Sequence, residues 1–115
     1  MVRIQTVEVV RPNMLERLNI QPFKPRTEAI AEAYRLGSEL HAGQTRLSGE
    51  PFFETHCVWI ANFLEHQVKR EAWTIAALLH DTVEDRGGSL DLIRQTFPGD
   101  LGEEVAHIVD GVTKL

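Results

Sequence analysis

Residues Trp73 to Leu79 are apolar on almost every side of a helix, and the run closes on His80-Asp81. The stretch continues Thr82-Val83-Glu84-Asp85. A helix that is apolar all round has to be buried all round. It needs several partner helices, so the chain must build a bundle with this segment at its centre. The polar end of the run then lies against buried surface, where unpaired polar or charged groups cost several kcal/mol. A histidine beside an aspartate is a natural metal-ligand pair. An acidic pair one turn further on can act on water at such a metal.

The chain has 115 residues, a size that suits one compact domain. Its hydrophobic fraction is 43%, enough for a core. The formal charge of −5 and pI near 5.5 argue against general nucleic-acid binding, which needs clustered Lys and Arg. They leave room for a small phosphorylated ligand held by a few local cations or a metal. The single cysteine, Cys57, cannot form an internal disulfide, which fits a reduced, cytoplasmic setting. No apolar run approaches the roughly 18 residues that span a bilayer, and Met1–Thr6 lacks a signal-peptide apolar region. No membrane and no nucleic-acid partner is expected.

Residues 1–25 read as an N-terminal arm, with weak strand-like alternation over Val2, Ile4 and Val7–Val10 and a short helix around Met14–Leu18. The domain proper is expected over 26–115. Thr27 caps a helix with Ile30, Ala33, Tyr34, Gly37 and Leu40 on one face and His41 at its end. Residues 42–51 form a loop carrying Arg46, Ser48 and Glu50. A second helix is expected from about Glu54 to Gln67, with His56, Ile60, Phe63, Leu64 and Gln67 on one face. A third is expected from about Glu71 to Asp85, ended by Gly87-Gly88. Ser89 caps a short helix through Phe97, and Pro98-Gly99 turns the chain. Asp100 and Glu103 resemble a capping box for a last helix striped by Val105, Ile108, Val109 and Val112. The fold class is all-α, a bundle of about five helices. The chain stops at Leu115, directly after an apolar helix, which suggests a C-terminally truncated domain.

In one continuous helix Glu84 would sit a turn above His80 and Asp85 a turn above Asp81, about 6 Å along the axis. A metal on His80 and Asp81 would then have carboxylates within reach of its water, a workable engine for phosphate-ester hydrolysis. Two ligands seldom make a tight site, and His56, on the apolar face of the preceding helix, is the natural third. Imidazole with carboxylate suits Mn²⁺, Fe²⁺ or Zn²⁺ better than Ca²⁺. Taken alone, the His-Asp dipeptide reads more readily as a histidine bonded to a backbone carbonyl, with 81–85 a solvated helix end. His56 alone reads as a core histidine. His66 and His107 read as surface residues, and Trp59 and Trp73 as core. His41 either orients a ligand or caps its helix. Arg46 either pairs with a phosphate or stacks on a base, or is simply solvated.

Three blocks in order resemble the N-terminal hydrolase domain of RelA/SpoT homologues, within the HD phosphohydrolase superfamily. They are His41-Ala42-Gly43-Gln44-Thr45-Arg46-Leu47-Ser48-Gly49-Glu50-Pro51 with His56, then Ala76 to Asp85, then Val109-Asp110-Gly111-Val112-Thr113-Lys114-Leu115. The resemblance covers about residues 27–115. It implies an HD-domain helical bundle and a Mn²⁺-dependent 3′-pyrophosphohydrolase of the alarmone (p)ppGpp, releasing GDP or GTP and pyrophosphate. It implies His56, His80 and Asp81 as metal ligands and Glu84 and Asp85 as the catalytic acidic pair. Arg46 and Ser48 match positions that contact the guanine nucleotide, Arg46 against the base. It also implies that a synthetase domain can follow in the parent protein.

Three departures from the family pattern stand out. Leu47 occupies a position that is usually lysine. The segment from Pro51 to His56 is one residue longer than usual, and Cys57 replaces the common proline. The family's fourth metal ligand, an aspartate, falls beyond Leu115, so this fragment by itself is expected to bind metal poorly and turn over slowly. Two other readings stay open. One is a non-catalytic regulatory module of a (p)ppGpp synthetase. The other is an HD phosphohydrolase for other nucleotides.

Overall fold

The structure is a computed structural model that describes residues 22–85 and 88–113, with every side chain among them except those of Glu84 and Asp85. The strand-like stretch and short helix expected within 1–21, the Gly87 half of the Gly-Gly stop, and Lys114-Leu115 lie outside the described residues.

The described residues are all-α. Helix α1 spans Glu28–Leu40. A single π turn, Phe53–Cys57, runs directly into α2, Val58–Gln67. Helix α3 is Glu71–Leu79, α4 is the four-residue Thr82–Asp85, α5 is Leu90–Thr96 and α6 is Asp100–Thr113. One isolated antiparallel bridge, Thr45 to Pro51, pinches the loop after α1.

Helix α3 is the centre that its composition requires. Ala72 and every residue from Thr74 to Leu79 are buried, and α1, α2 and α6 pack around them. Thr27 caps α1 by accepting a bond from the Ile30 amide, and its hydroxyl also donates to Glu71 at 2.5 Å, tying α1 to the start of α3. A second tie runs through Glu65, which accepts from Arg26 at 2.8 Å and from the buried Thr74 hydroxyl at 2.6 Å. Gly37 lets α1 approach closely: a Cβ there would stand 2.6 Å from the Phe53 ring and 2.9 Å from the Leu78 carbonyl.

Four expectations are corrected. The helix expected over 71–85 is two helices, because α3 stops at Leu79 and His80 and Asp81 occupy a turn. The Thr82 hydroxyl takes the Leu79 carbonyl at 2.7 Å, and Gly88 N–H donates to the Thr82 carbonyl at 2.9 Å, which folds the chain back there. The second helix opens on a π turn instead of an α turn. Trp59 and Trp73 are not core: they are 58% and 43% exposed. Trp59 stacks on Phe63, one turn along the outer face of α2, with ring centroids 6.0 Å apart, and Trp73 lines a surface groove beside Ile108 and Val112. Asp100 is the first residue of α6 and not its cap, with Gly99 preceding it at φ +83°.

Candidate metal centre

The residues that meet at the end of α3 come from two elements. His80 follows the last residue of α3, and Asp81 is the next residue in the turn. His56 comes from the π turn, whose widened ring is closed by the Val58 N–H donating to the Phe53 carbonyl. That turn buries Phe53 and Cys57 and leaves His56 half-buried beside α3.

Asp81 Oδ2 lies 3.1 Å from His56 Nε2 and 3.1 Å from His80 Nε2. One donor atom from each of His56, His80 and Asp81 lies within 4.8 Å of the other two. The imidazole rings of His56 and His80 are 5.4 Å apart. His80 Nδ1 is 2.8 Å from the Ala77 carbonyl, so Nδ1 donates to it and Nε2 faces the corner. A carbonyl bond of this kind is what the structural reading of His80 anticipates. It is equally the contact that orients a ligand histidine.

The electrostatics of the corner favour a cation. The bond from His80, helped by the charges of His80 and His56, holds the Asp81 carboxyl below its ordinary range against the effect of burial. Burial lowers His56 below the usual imidazole value, and the charges of His80 and Arg46 push the same way while Asp81 opposes them. Asp81 is therefore an anion near neutrality, and His56 gives up its proton more readily than a free imidazole. Two imidazole nitrogens and one carboxylate oxygen at these separations fit a divalent first-row metal better than Ca²⁺, which prefers an all-oxygen shell. Three protein donors leave further coordination positions for water or a ligand. Cys57 Sγ stands 4.0 Å from Asp81 Oδ2 in full burial, and burial raises its pKa, so the neutral thiol sits behind the carboxylate rather than among the donors.

The structure therefore brings His56, His80 and Asp81 together. Glu84 and Asp85 follow in α4, but their side chains lie outside the described residues. Arg46 and Ser48 sit on an exposed hairpin turn in which Gly49 N–H donates to the Arg46 carbonyl at 2.8 Å. Arg46 Nη1 is 3.5 Å from both the carbonyl and the hydroxyl of Thr55, the residue before His56. Leu47 at the tip is fully exposed. His66 and His107 are exposed, as expected.

Two neighbours of the corner were not singled out in the sequence. Phe52 packs on His56 at 5.0 Å, and Gln44 bonds the His41 ring. Gln44 carries no signal on its own. Phe52 could have been found only by knowing that the helix register shifts at 53–57.

The HD domain family matches residues 33–115. A probable GTP pyrophosphokinase of Mycobacterium leprae is 41% identical over 80% of this chain and 11% of its own length. A guanosine-3′,5′-bis(diphosphate) 3′-pyrophosphohydrolase of Vibrio cholerae is 39% identical over 80% of this chain and 12% of its own length. The bifunctional (p)ppGpp synthase/hydrolase SpoT of Escherichia coli is 38% identical over 89% of this chain and 14% of its own length. The chain thus spans only 11% to 14% of these relatives.

Proposed function

Because this chain belongs to the HD domain family and its relatives are of the RelA/SpoT type, we propose that it supplies the front portion of a (p)ppGpp 3′-pyrophosphohydrolase site. Water attacks the phosphorus bonded to the ribose 3′ oxygen. The bond from that phosphorus to the 3′ oxygen breaks, releasing pyrophosphate and GDP or GTP. The setting is cytoplasmic. The observation that carries the reading is the convergence of His56, His80 and Asp81 on one corner.

In this reading His56 Nε2, His80 Nε2 and Asp81 hold one divalent cation, taken to be Mn²⁺, with a further carboxylate expected from sequence following Leu115. When bound, the cation supplies positive charge that polarises a phosphoryl oxygen and acidifies water. Glu84 and Asp85 take the proton of the attacking water and return one to the 3′ oxygen. Arg46 lays its guanidinium plane on the guanine and Ser48 bonds the nucleotide.

The test is direct. A version extended past Leu115 is incubated with Mn²⁺ and ppGpp, and pyrophosphate is measured. Release that needs Mn²⁺ supports the reading; a metal-loaded protein that forms no pyrophosphate overturns it. Leu47 favours a second reading, because a fully exposed leucine stands where the resembling family has a lysine for phosphate. Nucleotide binding without turnover would select that regulatory role. Hydrolysis of dGTP or a cyclic dinucleotide as fast as ppGpp would select an HD phosphohydrolase of other specificity.

A further inference from the structure

His41 is 97% buried, an unusual position for an imidazole, which must have its polar atoms satisfied there. Its backbone ends α1, with the amide donating to the Gly37 carbonyl at 3.0 Å, and that bond needs no particular side chain. The ring does something else. It packs against Phe52 at 5.2 Å and Phe53 at 5.7 Å, and its Nδ1–H donates forward to Gln44 Oε1 at 2.5 Å.

Gln44 is the base of the hairpin. Its carbonyl accepts from the Phe52 amide at 3.0 Å, directly beside the Thr45–Pro51 bridge. Beyond it, residues 45–49 are all exposed, and Arg46 N–H donates to the Glu50 carbonyl at 2.8 Å. These bonds stiffen the hairpin internally without aiming it. The Arg46 contacts with Thr55, at 3.5 Å, are too long to do so. At its base the hairpin is tied by the Gln44 N–H to the His41 carbonyl at 3.0 Å and by the Thr55 hydroxyl to the Pro51 carbonyl at 2.7 Å; the side-chain grip there is the His41 ring, which bonds Gln44 and touches Phe52, which in turn packs on His56.

We propose that His41 is a positioning residue: through Gln44 it fixes the base of the 45–51 hairpin and so holds Arg46 beside the His56–His80–Asp81 corner. This deepens the functional reading above and rests on it for the meaning of the corner. The histidine of α1 and the metal-facing histidine of the π turn are then two ends of one packed path, with Gln44 and Phe52 between them.

The experiment compares the wild-type chain with His41→Phe, which keeps a ring between Phe52 and Phe53, with Gln44→Leu, and with the double variant. Amide hydrogen exchange is read by NMR, together with Mn²⁺ affinity and Mn²⁺ broadening of the Arg46 Nε–H signal. Each single variant should speed exchange of the Arg46 and Gly49 amides about tenfold, the size expected for one lost buried hydrogen bond. The double variant should add nothing, because both residues act through the same bond. Amides of α3 and the Mn²⁺ affinity should be unchanged, while broadening of Arg46 weakens. Unchanged hairpin exchange in either single variant, additive effects, or loosening of α1 and α3 in step with the hairpin would overturn the proposal. Failure of the wild-type chain to take up Mn²⁺ would count against the metal reading alone, since the exchange comparison still decides the role of His41.

Discussion

At His80 one proton decides which nitrogen can bind a metal. The Ala77 carbonyl holds that proton on Nδ1, and Nε2 turns to the corner with Asp81. The division of labour that follows is testable by calorimetry with Mn²⁺. Asp81→Ala should reduce affinity at least about tenfold, because it removes the only carboxylate among the three donors. Glu84→Ala should leave affinity nearly unchanged while slowing hydrolysis in an extended protein; equal loss of metal in both variants would contradict these roles. His56 makes a second prediction. Burial holds its pKa below the ordinary imidazole value, so protons compete with metal at His56 only below that value. The Mn²⁺ affinity lost on His56→Ala, measured between about pH 5 and about pH 7.5, should be constant through the usual imidazole range and shrink only beneath it. The sign for stability agrees. The unfolded chain binds the proton more readily, so this group removes stability as pH drops below the unfolded imidazole value.

The helices show which local signals survive folding. Thr27 and Ser89 were readable as caps because a cap is a bond to an amide three residues away, and both make it, at 3.1 Å and 3.0 Å. The α3 burial was readable from its all-round apolar composition. The break at His80–Asp81 was not, because it depends on the Thr82 hydroxyl and Gly88 amide finding carbonyls across a turn. The π turn was not either, since an i to i−5 bond leaves no periodic trace. Trp59 and Trp73 misled because bulk alone does not say which face of a helix is covered. Lys69, which links α2 to α3, is at φ +57°, a region costly for a residue with a Cβ. Lys69→Gly should raise stability by about 0.5–1 kcal/mol in chemical denaturation, the relief of backbone strain outweighing the added freedom of the unfolded chain. No gain would mean the turn is unstrained. Gly102 in α6 is the opposite case. Alanine is favoured there by helix propensity by about 1 kcal/mol, yet its Cβ would fall 1.8 Å from the Phe97 carbonyl. Gly102→Ala should therefore destabilise by about 2 kcal/mol, and a neutral result would show that the α5–α6 turn can yield.

Across the whole molecule, packing around α3 is reinforced by polar ties between helices distant in sequence. Glu65, 88% buried at its side chain, joins Arg26 before α1 to Thr74 inside α3. The Arg26 bond holds its carboxyl below the ordinary range, so the tie contributes above that range and is lost as pH falls through the folded value. Glu65→Gln should cost about 1 kcal/mol at neutral pH, and the gap from wild type should close in acid, as followed by thermal melting. A gap that persists in acid would mean that the charge of Glu65 is not what matters. At this scale the all-α bundle was legible, since its central helix announces itself. The meeting of His56 with His80 and Asp81 was legible only in outline: residue types marked the donors, and the tertiary path through Phe52 that sets His56 was hidden. The most direct measurement is anomalous diffraction at the manganese edge from crystals soaked in Mn²⁺. One strong peak is expected, bonded to His56 Nε2, His80 Nε2 and the Asp81 carboxylate. A peak elsewhere, or a His56 ring turned out of the corner in the metal-loaded protein, would contradict that set of ligands.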